Sequence, residues 1–417
     1  MDMFRINGQK KLQGTVKISG AKNAILPIMA ATLLTDGKSY LRNVPNLNDI
    51  QSMNDLLVYL GASIEVINDT MVINTENVNS FEAPYELVNK MRASTYVLGP
   101  CLARFGRAKV AFPGGCAIGM RPVDLHLMAM QKLGADLHIE HGYICAEAKN
   151  GLIGAEIEFP IVSVGATANC LMACVMAKGE SFIKNIALEP EIESLIQVLI
   201  LMGANIEKKN KNDLLIKGVD KLKPFDMMMI PDRIEAGTML LAAAITKSSI
   251  TVSNCEPLHL SSLIYKMEEV GCKFEIGKDY IKISPAENIK SVDITTSPYP
   301  GFPTDLQAQF LAYMCVANGV SYITDTVFPE RFMHVSELIR LGANISLEHK
   351  TTALLKGIER FQGAEVKATD LRASAALVLA GLAAEGETNI SQIYHIDRGY
   401  EKIEEKLRGI GADIIRI

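Results

Sequence analysis

The sequence predicts an α/β fold of six βαβαββ units grouped as two three-unit domains, and three observations carry the prediction. First, a glycine and a small residue close an apolar helix-like segment and lead into a short strand six times: "LGASIEV", "LGADLHI", "MGANIEK", "VGCKFEI", "LGANISL" and "IGADIIR". The glycines stand at 61, 134, 203, 271, 342 and 411, in steps of 73, 69, 68, 71 and 69 residues, and such regularity marks a repeat architecture. Second, every unit contains an uncharged segment rich in small residues, such as "VGATANCLMACVMA" or "ASAALVLAGLAA". A helix apolar all round is a buried helix. Third, the ends are incomplete in complementary ways. The sixth unit stops at "GADIIRI" without closing strands, whereas "FRINGQKKLQGTVKISG" near the start reads as closing strands without a unit.

The elements follow in a fixed order within each unit. The buried helix comes first, then a β-like stretch such as "SYLRNV" or "SITVSN". A second helix follows with a one-sided apolar stripe, seen in Val335, Leu338 and Ile339 and in Ile403, Leu407 and Ile410. The repeated glycine is expected just past the end of that helix, where a left-handed residue closes it. Two or three strands then lead to the next buried helix. If the N-terminal strands complete the sixth unit, one domain spans residues 20–230 and the other combines 1–19 with 232–417. Two crossings, near Ser19-Gly20 and Pro231-Asp232, join them, and ligand sites favour the cleft that such a division creates.

Composition narrows the function. Hydrophobic residues make up 48% and charged residues 21% of the 417, a globular balance. The formal net charge of −5 argues against a nucleic-acid surface. No stretch has the length and apolarity of a membrane span or a signal peptide, so a soluble, cytoplasmic protein is expected, a monomer by default. The eight cysteines include no C-x-x-C pair; Cys101, Cys170, Cys174 and Cys315 lie in apolar runs and are expected in the core. "DGKS" lacks the glycine of a phosphate-binding loop, and no dinucleotide or nucleophile-elbow motif occurs. His138 and His141 read as surface residues, so neither metal nor cofactor is expected.

Charge gathers where buried helices begin: Lys22 and Asn23, Arg92, Ser163, Asp232 with Arg233, Thr304 with Asp305, and Asp370 with Arg372. Ser163, Asp232, Asp305 and Asp370 have a plain reading as N-caps. The cations do not, because a helix N-terminus disfavours positive charge unless an anion intervenes. Arg121, Arg331 and Arg398 lie at the starts of second helices. Six cations at repeat-equivalent edges suggest a site for a multiply anionic ligand, since their desolvation must be offset. The segment "PGGCAIGMRPVDLH" sets Cys116 among Gly114, Gly115 and Gly119, a glycine-hinged loop suited to act as a lid.

These segments resemble a known family. "SGAKNA", "MRAS", "PGGCAIGMRPVDLH", "VSVGAT", "FPTDLQAQF", "ERFMHV", "TDLRASAALVLAG" and "YHIDRGYE" are similar, in order and along the whole chain, to the UDP-N-acetylglucosamine enolpyruvyl transferases of the EPSP synthase superfamily. The resemblance implies an inside-out α/β barrel, two domains each of three βαβαββ repeats with buried helices. It implies transfer of the enolpyruvyl group of phosphoenolpyruvate to the 3-hydroxyl of UDP-N-acetylglucosamine, an early step of peptidoglycan synthesis. Cys116 would then be the general acid, open to capture by fosfomycin, with Asp305 the base and Asp370 a second acid. Lys22, Asn23, Arg121 and Arg398 would surround phosphoenolpyruvate, with Arg92, Arg331, Arg372 and Asp232 in support. Arg92, Arg121, Pro122, Val123, Asp124, Leu125, Ser163, Val164, Gly165, Asp305 and Val327 would hold the sugar nucleotide. Some members have lysines where this chain has Asn46, Asn48 and Ile161, and an acidic residue in place of Pro329. The related shikimate-pathway synthase, which lacks the cysteine loop, and a non-catalytic repeat scaffold are the alternatives.

Overall fold

A computed structural model describes residues 2–89, 91–112 and 123–417. Its described residues divide into two compact units, one of residues 2–19 and 231–417, the other of residues 20–230. Each has a hydrophobic core of its own. In the 20–230 unit that core is built on the helices Lys22–Ala31, Leu98–Phe105 and Val164–Cys174, and in the other on Arg233–Ile245, Gln307–Met314 and Leu371–Ala383. These are the small-residue segments of the sequence, and Cys101, Cys170, Cys174 and Cys315 are buried within them or at their ends.

The strands form six four-stranded sheets among the described residues, and no closed barrel. All six share one pattern. In Glu82–Ala83, Arg107–Ala111, Tyr143–Glu147 and Asp136–Glu140, for example, the first pair is parallel and the next two are antiparallel. The second helix of each unit ends as its glycine requires. Gly61, Gly134, Gly203, Gly271, Gly342 and Gly411 all have positive φ. The amide after each donates back to the last helical turn, as Ala62 does to Leu57 and Ala343 to Leu338, both at 3.0 Å.

One expectation is corrected. The strand Phe4–Asn7 does complete the sixth unit, antiparallel to both Glu387–Ser391 and Asp413–Arg416. Gln13–Lys17 does not, because it pairs in parallel with Ser249–Ser253 and so opens the fourth unit. The opening strand of the first unit is Asp226–Met228, parallel to Lys38–Arg42. A parallel partner arrives by a crossover rather than a tight turn, so proximity along the chain does not select it.

Candidate functional site

In the 20–230 unit, Lys22 is the first residue of its core helix, where the backbone dipole opposes a cation. It is buried, and its Nζ lies 3.0 Å from Asp49 Oδ2, also buried. Asp49 sits in the first turn of Asn48–Tyr59, a place where its own helix favours an anion. Asn23 is half-buried beside Lys22, and Arg92 opens the turn Arg92–Val97. Asn46 and Asn48 are exposed, and Ile161 presents apolar surface.

The same unit brings Val123, Asp124 and Leu125 together with Ser163, Val164 and Gly165. Val123 caps the helix Asp124–Lys132, whose buried His126 meets the start of the core helix Val164–Cys174. A Cβ on Gly165 would lie 3.0 Å from His126 Nε2, so a larger residue here would require the imidazole to give way. His126 Nδ1 is 2.8 Å from Asn169 Nδ2, which also donates to the Thr95 carbonyl. The Ser163 hydroxyl accepts from the Ala166 amide, a cap as expected.

In the other unit, Asp305 lies in the short turn Thr304–Leu306 ahead of the helix Gln307–Met314. The N-cap expectation fails here: the residues capping that turn and helix are Pro303 and Leu306. Asp305 instead receives Arg331 on Oδ1 at 2.8 Å and Arg372 on Oδ2 at 2.9 Å. Both arginine side chains are almost fully buried, whereas the Asp305 side chain remains 25% exposed. Burial alone would raise this carboxyl, but Arg372 and Arg331 together hold it well below the ordinary carboxylate range. The carboxylate is therefore ionised and reachable. Arg331 and Arg372, like Lys22, already face an acid of the protein, so their desolvation does not demand a ligand, contrary to the reasoning from sequence.

The set is braced from behind. Arg372 donates to the Tyr400 hydroxyl at 3.2 Å, and Tyr400 shares a 2.8 Å hydrogen bond with Thr238 and receives Gln309 at 3.1 Å. Arg331 donates to Thr304, which donates to the fully buried Asp325. Asp325 accepts from the amides of Val327 and Phe328, fixing the loop that carries Val327. His334, buried against this group, is pushed down to about 4 by burial and by Arg331, with Asp370 acting the other way. Half-buried Arg398 ends the turn Ile393–Arg398. Burial and then Arg398 lower the His395 imidazole, while Asp370 raises it.

Asp232 and Asp370 do cap their helices. Asp232 accepts from the amides of Ile234 and Glu235, and Asp370 from those of Arg372 and Ala373. For Asp370, cap and charge are separable, because asparagine caps as well as aspartate. Asp370→Asn is expected to melt within about 0.5 kcal/mol of the parent while kcat falls by about tenfold or more. Unchanged kcat would reduce Asp370 to a cap.

Cys116, Arg121 and Pro122 lie outside the described residues. Asp49, His126, Asp325, His334 and Tyr400 were given no role from sequence. His334 and Tyr400 sit inside quoted segments, "ERFMHV" and "YHIDRGYE", where a His or Tyr among charges was a usable signal. Asp49 had a weaker one: Glu191, buried at the corresponding second position of Pro190–Leu201, repeats it.

Residues 6–407 match the family model described as EPSP synthase (3-phosphoshikimate 1-carboxyvinyltransferase). The UDP-N-acetylglucosamine 1-carboxyvinyltransferase of Chlorobium chlorochromatii is 54% identical over 418 residues, covering 100% of this chain and 99% of its own. The protein of the same name from Desulfosudis oleivorans is 51% identical over 417 residues, covering 100% of both. Among solved structures, the enolpyruvyl transferase NikO from Streptomyces tendae superposes with a TM-score of 0.90 at 23% identity, covering 100% of this chain and 98% of its own. EPSP synthase from Acinetobacter baumannii follows with a TM-score of 0.77 at 18% identity, covering 100% of both chains. These two likenesses speak to the fold.

Proposed function

We infer the reaction from one premise: this chain belongs to the UDP-N-acetylglucosamine 1-carboxyvinyltransferases of the EPSP synthase family. It is an enolpyruvyl transferase. Its substrates on this reading are phosphoenolpyruvate and UDP-N-acetylglucosamine, and its products are the 3-O-enolpyruvyl sugar nucleotide and phosphate, the first committed step of peptidoglycan synthesis. The same reading puts it in the cytoplasm as a monomer that needs no cofactor. No helix among the described residues is long and apolar enough to cross a membrane.

The observation that supports this chemistry most is Asp305, an ionised, partly exposed carboxylate held between Arg331 and Arg372. Addition across the phosphoenolpyruvate double bond needs a proton delivered to C3 and another removed from the attacking sugar hydroxyl. Cys116 gives the first and Asp305 takes the second. The sugar oxygen bonds to C2, and a proton then leaves C3 as the C2–phosphate bond breaks, restoring the double bond. Lys22, Arg121 and Arg398 stabilise the departing phosphate. A carboxylate so strongly favoured by two arginines is a weak base until negative charge arrives. Bound phosphoenolpyruvate carries that charge, offsets the cations and raises the proton affinity of Asp305. Val123, Asp124, Leu125, Ser163, Val164, Gly165 and Val327 hold the sugar nucleotide, with fewer cations for its diphosphate because Ile161 supplies none.

Phosphate release tests the reading: phosphoenolpyruvate with UDP-N-acetylglucosamine is expected to yield phosphate, and with shikimate 3-phosphate none. The reverse pattern would assign the shikimate reaction, and no release with either acceptor would sink the enzyme reading. Under the same assay Cys116→Asp is expected to keep turnover, since a carboxylic acid can still donate a proton, and to resist inactivation by fosfomycin. A folded but dead variant would instead give the sulfur an essential covalent role.

A further inference from the structure

We propose that the hairpin of Asp136–Glu140 and Tyr143–Glu147 carries a binding site for zinc or a similar thiophilic divalent cation, formed by His138, Glu140 and Cys145. The expectation that this chain holds no metal rested on spacing along the sequence, and spacing does not show what lies across a hairpin. The two strands are joined by His141 and Gly142, with φ of 49° and 80°. Two successive positive φ values are those of the tight turn that locks a hairpin in one register. In that register His138 is paired directly with Cys145. Glu140 is two residues beyond His138 and so shares its face.

The imidazole, carboxylate and thiol donor atoms all lie within 4.8 Å of one another. His138 Nε2 is 3.7 Å from one Glu140 oxygen, and His141 Nε2 is 3.6 Å from the other. An ion held at about 2.0–2.3 Å from each ligand needs its donors a little closer than this. The side chains of His138 and Glu140 are mostly exposed, so rotamer changes alone can supply the difference. A nitrogen, oxygen and sulfur set selects zinc and its neighbours over magnesium or calcium. The cation that faces Cys145 across the adjoining strand is already engaged: Lys109, paired with Cys145, is 2.9 Å from Glu82 and lies over the Tyr143 ring. None of these residues belongs to the transferase machinery, so the bound ion acts as a cross-strand staple.

The test uses full-length Cys116→Asp protein stripped with a chelator, so that the loop thiol contributes no signal. Titration with cobalt(II) is expected to produce a thiolate-to-metal charge-transfer band that saturates at one equivalent and is bleached by zinc. Cys145→Ser in that background should abolish the band, and His138→Ala should weaken binding. Loss of an outer-sphere partner already costs about tenfold or more, and loss of a ligand at least as much. Circular dichroism confirms that each variant folds. No band, a band surviving Cys145→Ser, or unchanged affinity in His138→Ala would each overturn the proposal.

Discussion

Asp305→Asn is expected to lower kcat by about 10³-fold, within the usual range for losing a general base, and to destabilise its unit as well. The substitution conserves volume, so packing is not the cause of either effect. Its amide oxygen can accept from only one of the two arginines that now share the carboxylate, while its NH₂ turns toward the other. Both arginines are left buried without their counter-charge, and that one without this acceptor as well. Breaking a buried pair from one side costs about 3–5 kcal/mol, and the partial exposure of Asp305 places the expected loss near the lower figure. The two effects are separable by pH. Because the native carboxyl is held below its unfolded value, its stabilisation is present above the unfolded value, about pH 4, and is lost progressively as pH falls from there through the native value. The melting difference between parent and variant should therefore stay level from pH 8 to about 5 and shrink below about 4. His334 does not blur this comparison. Buried neutral with a value of about 4, it weakens both proteins alike as pH falls from the ordinary histidine range, because only the unfolded chain takes the proton. A melting difference that vanished between pH 7 and 5 would assign the effect to a histidine. Unimpaired turnover in Asp305→Asn would remove Asp305 from the proton path.

The fold was legible because its strongest signals are backbone requirements. A left-handed residue past each second helix can hardly be anything but glycine, so Gly61 and its five counterparts appear in the sequence as a ruler. The buried helices were legible from their lack of any polar face. Strand exchange was not, since Gln13–Lys17 and Asp226–Met228 carry no mark of which sheet edge receives them. At the site, sequence identified the residues that gather at helix starts but not how their charges pair. Ser163, Asp232 and Asp370 cap helices as their positions suggest. Asp305 has the same local context and a different role, set by Arg331 and Arg372, 26 and 67 residues away. Pairing of that range is decided by tertiary packing and leaves no local pattern.

Lys22 carries the second large effect, and Asp49 allows its structural and chemical parts to be separated. Lys22→Met keeps the length of the side chain but removes the cation that lies 3.0 Å from buried Asp49. The cost of such a break, about 3–5 kcal/mol, should lower the melting temperature of the 20–230 unit by roughly ten degrees. Loss of a charged hydrogen bond to the substrate phosphate, about 1.5–3 kcal/mol, should raise half-saturation for phosphoenolpyruvate by roughly 10- to 100-fold. Either loss alone could follow from a merely disordered helix start. In the double variant Lys22→Met with Asp49→Leu, both charges are replaced by apolar groups of similar volume, a change that is often neutral or stabilising in a buried pair. Melting should then recover most of the way while half-saturation does not. Recovery of both would mean that Lys22 acts only by holding the fold. Recovery of neither would mean that Asp49 has a further partner whose loss matters more than the pair itself.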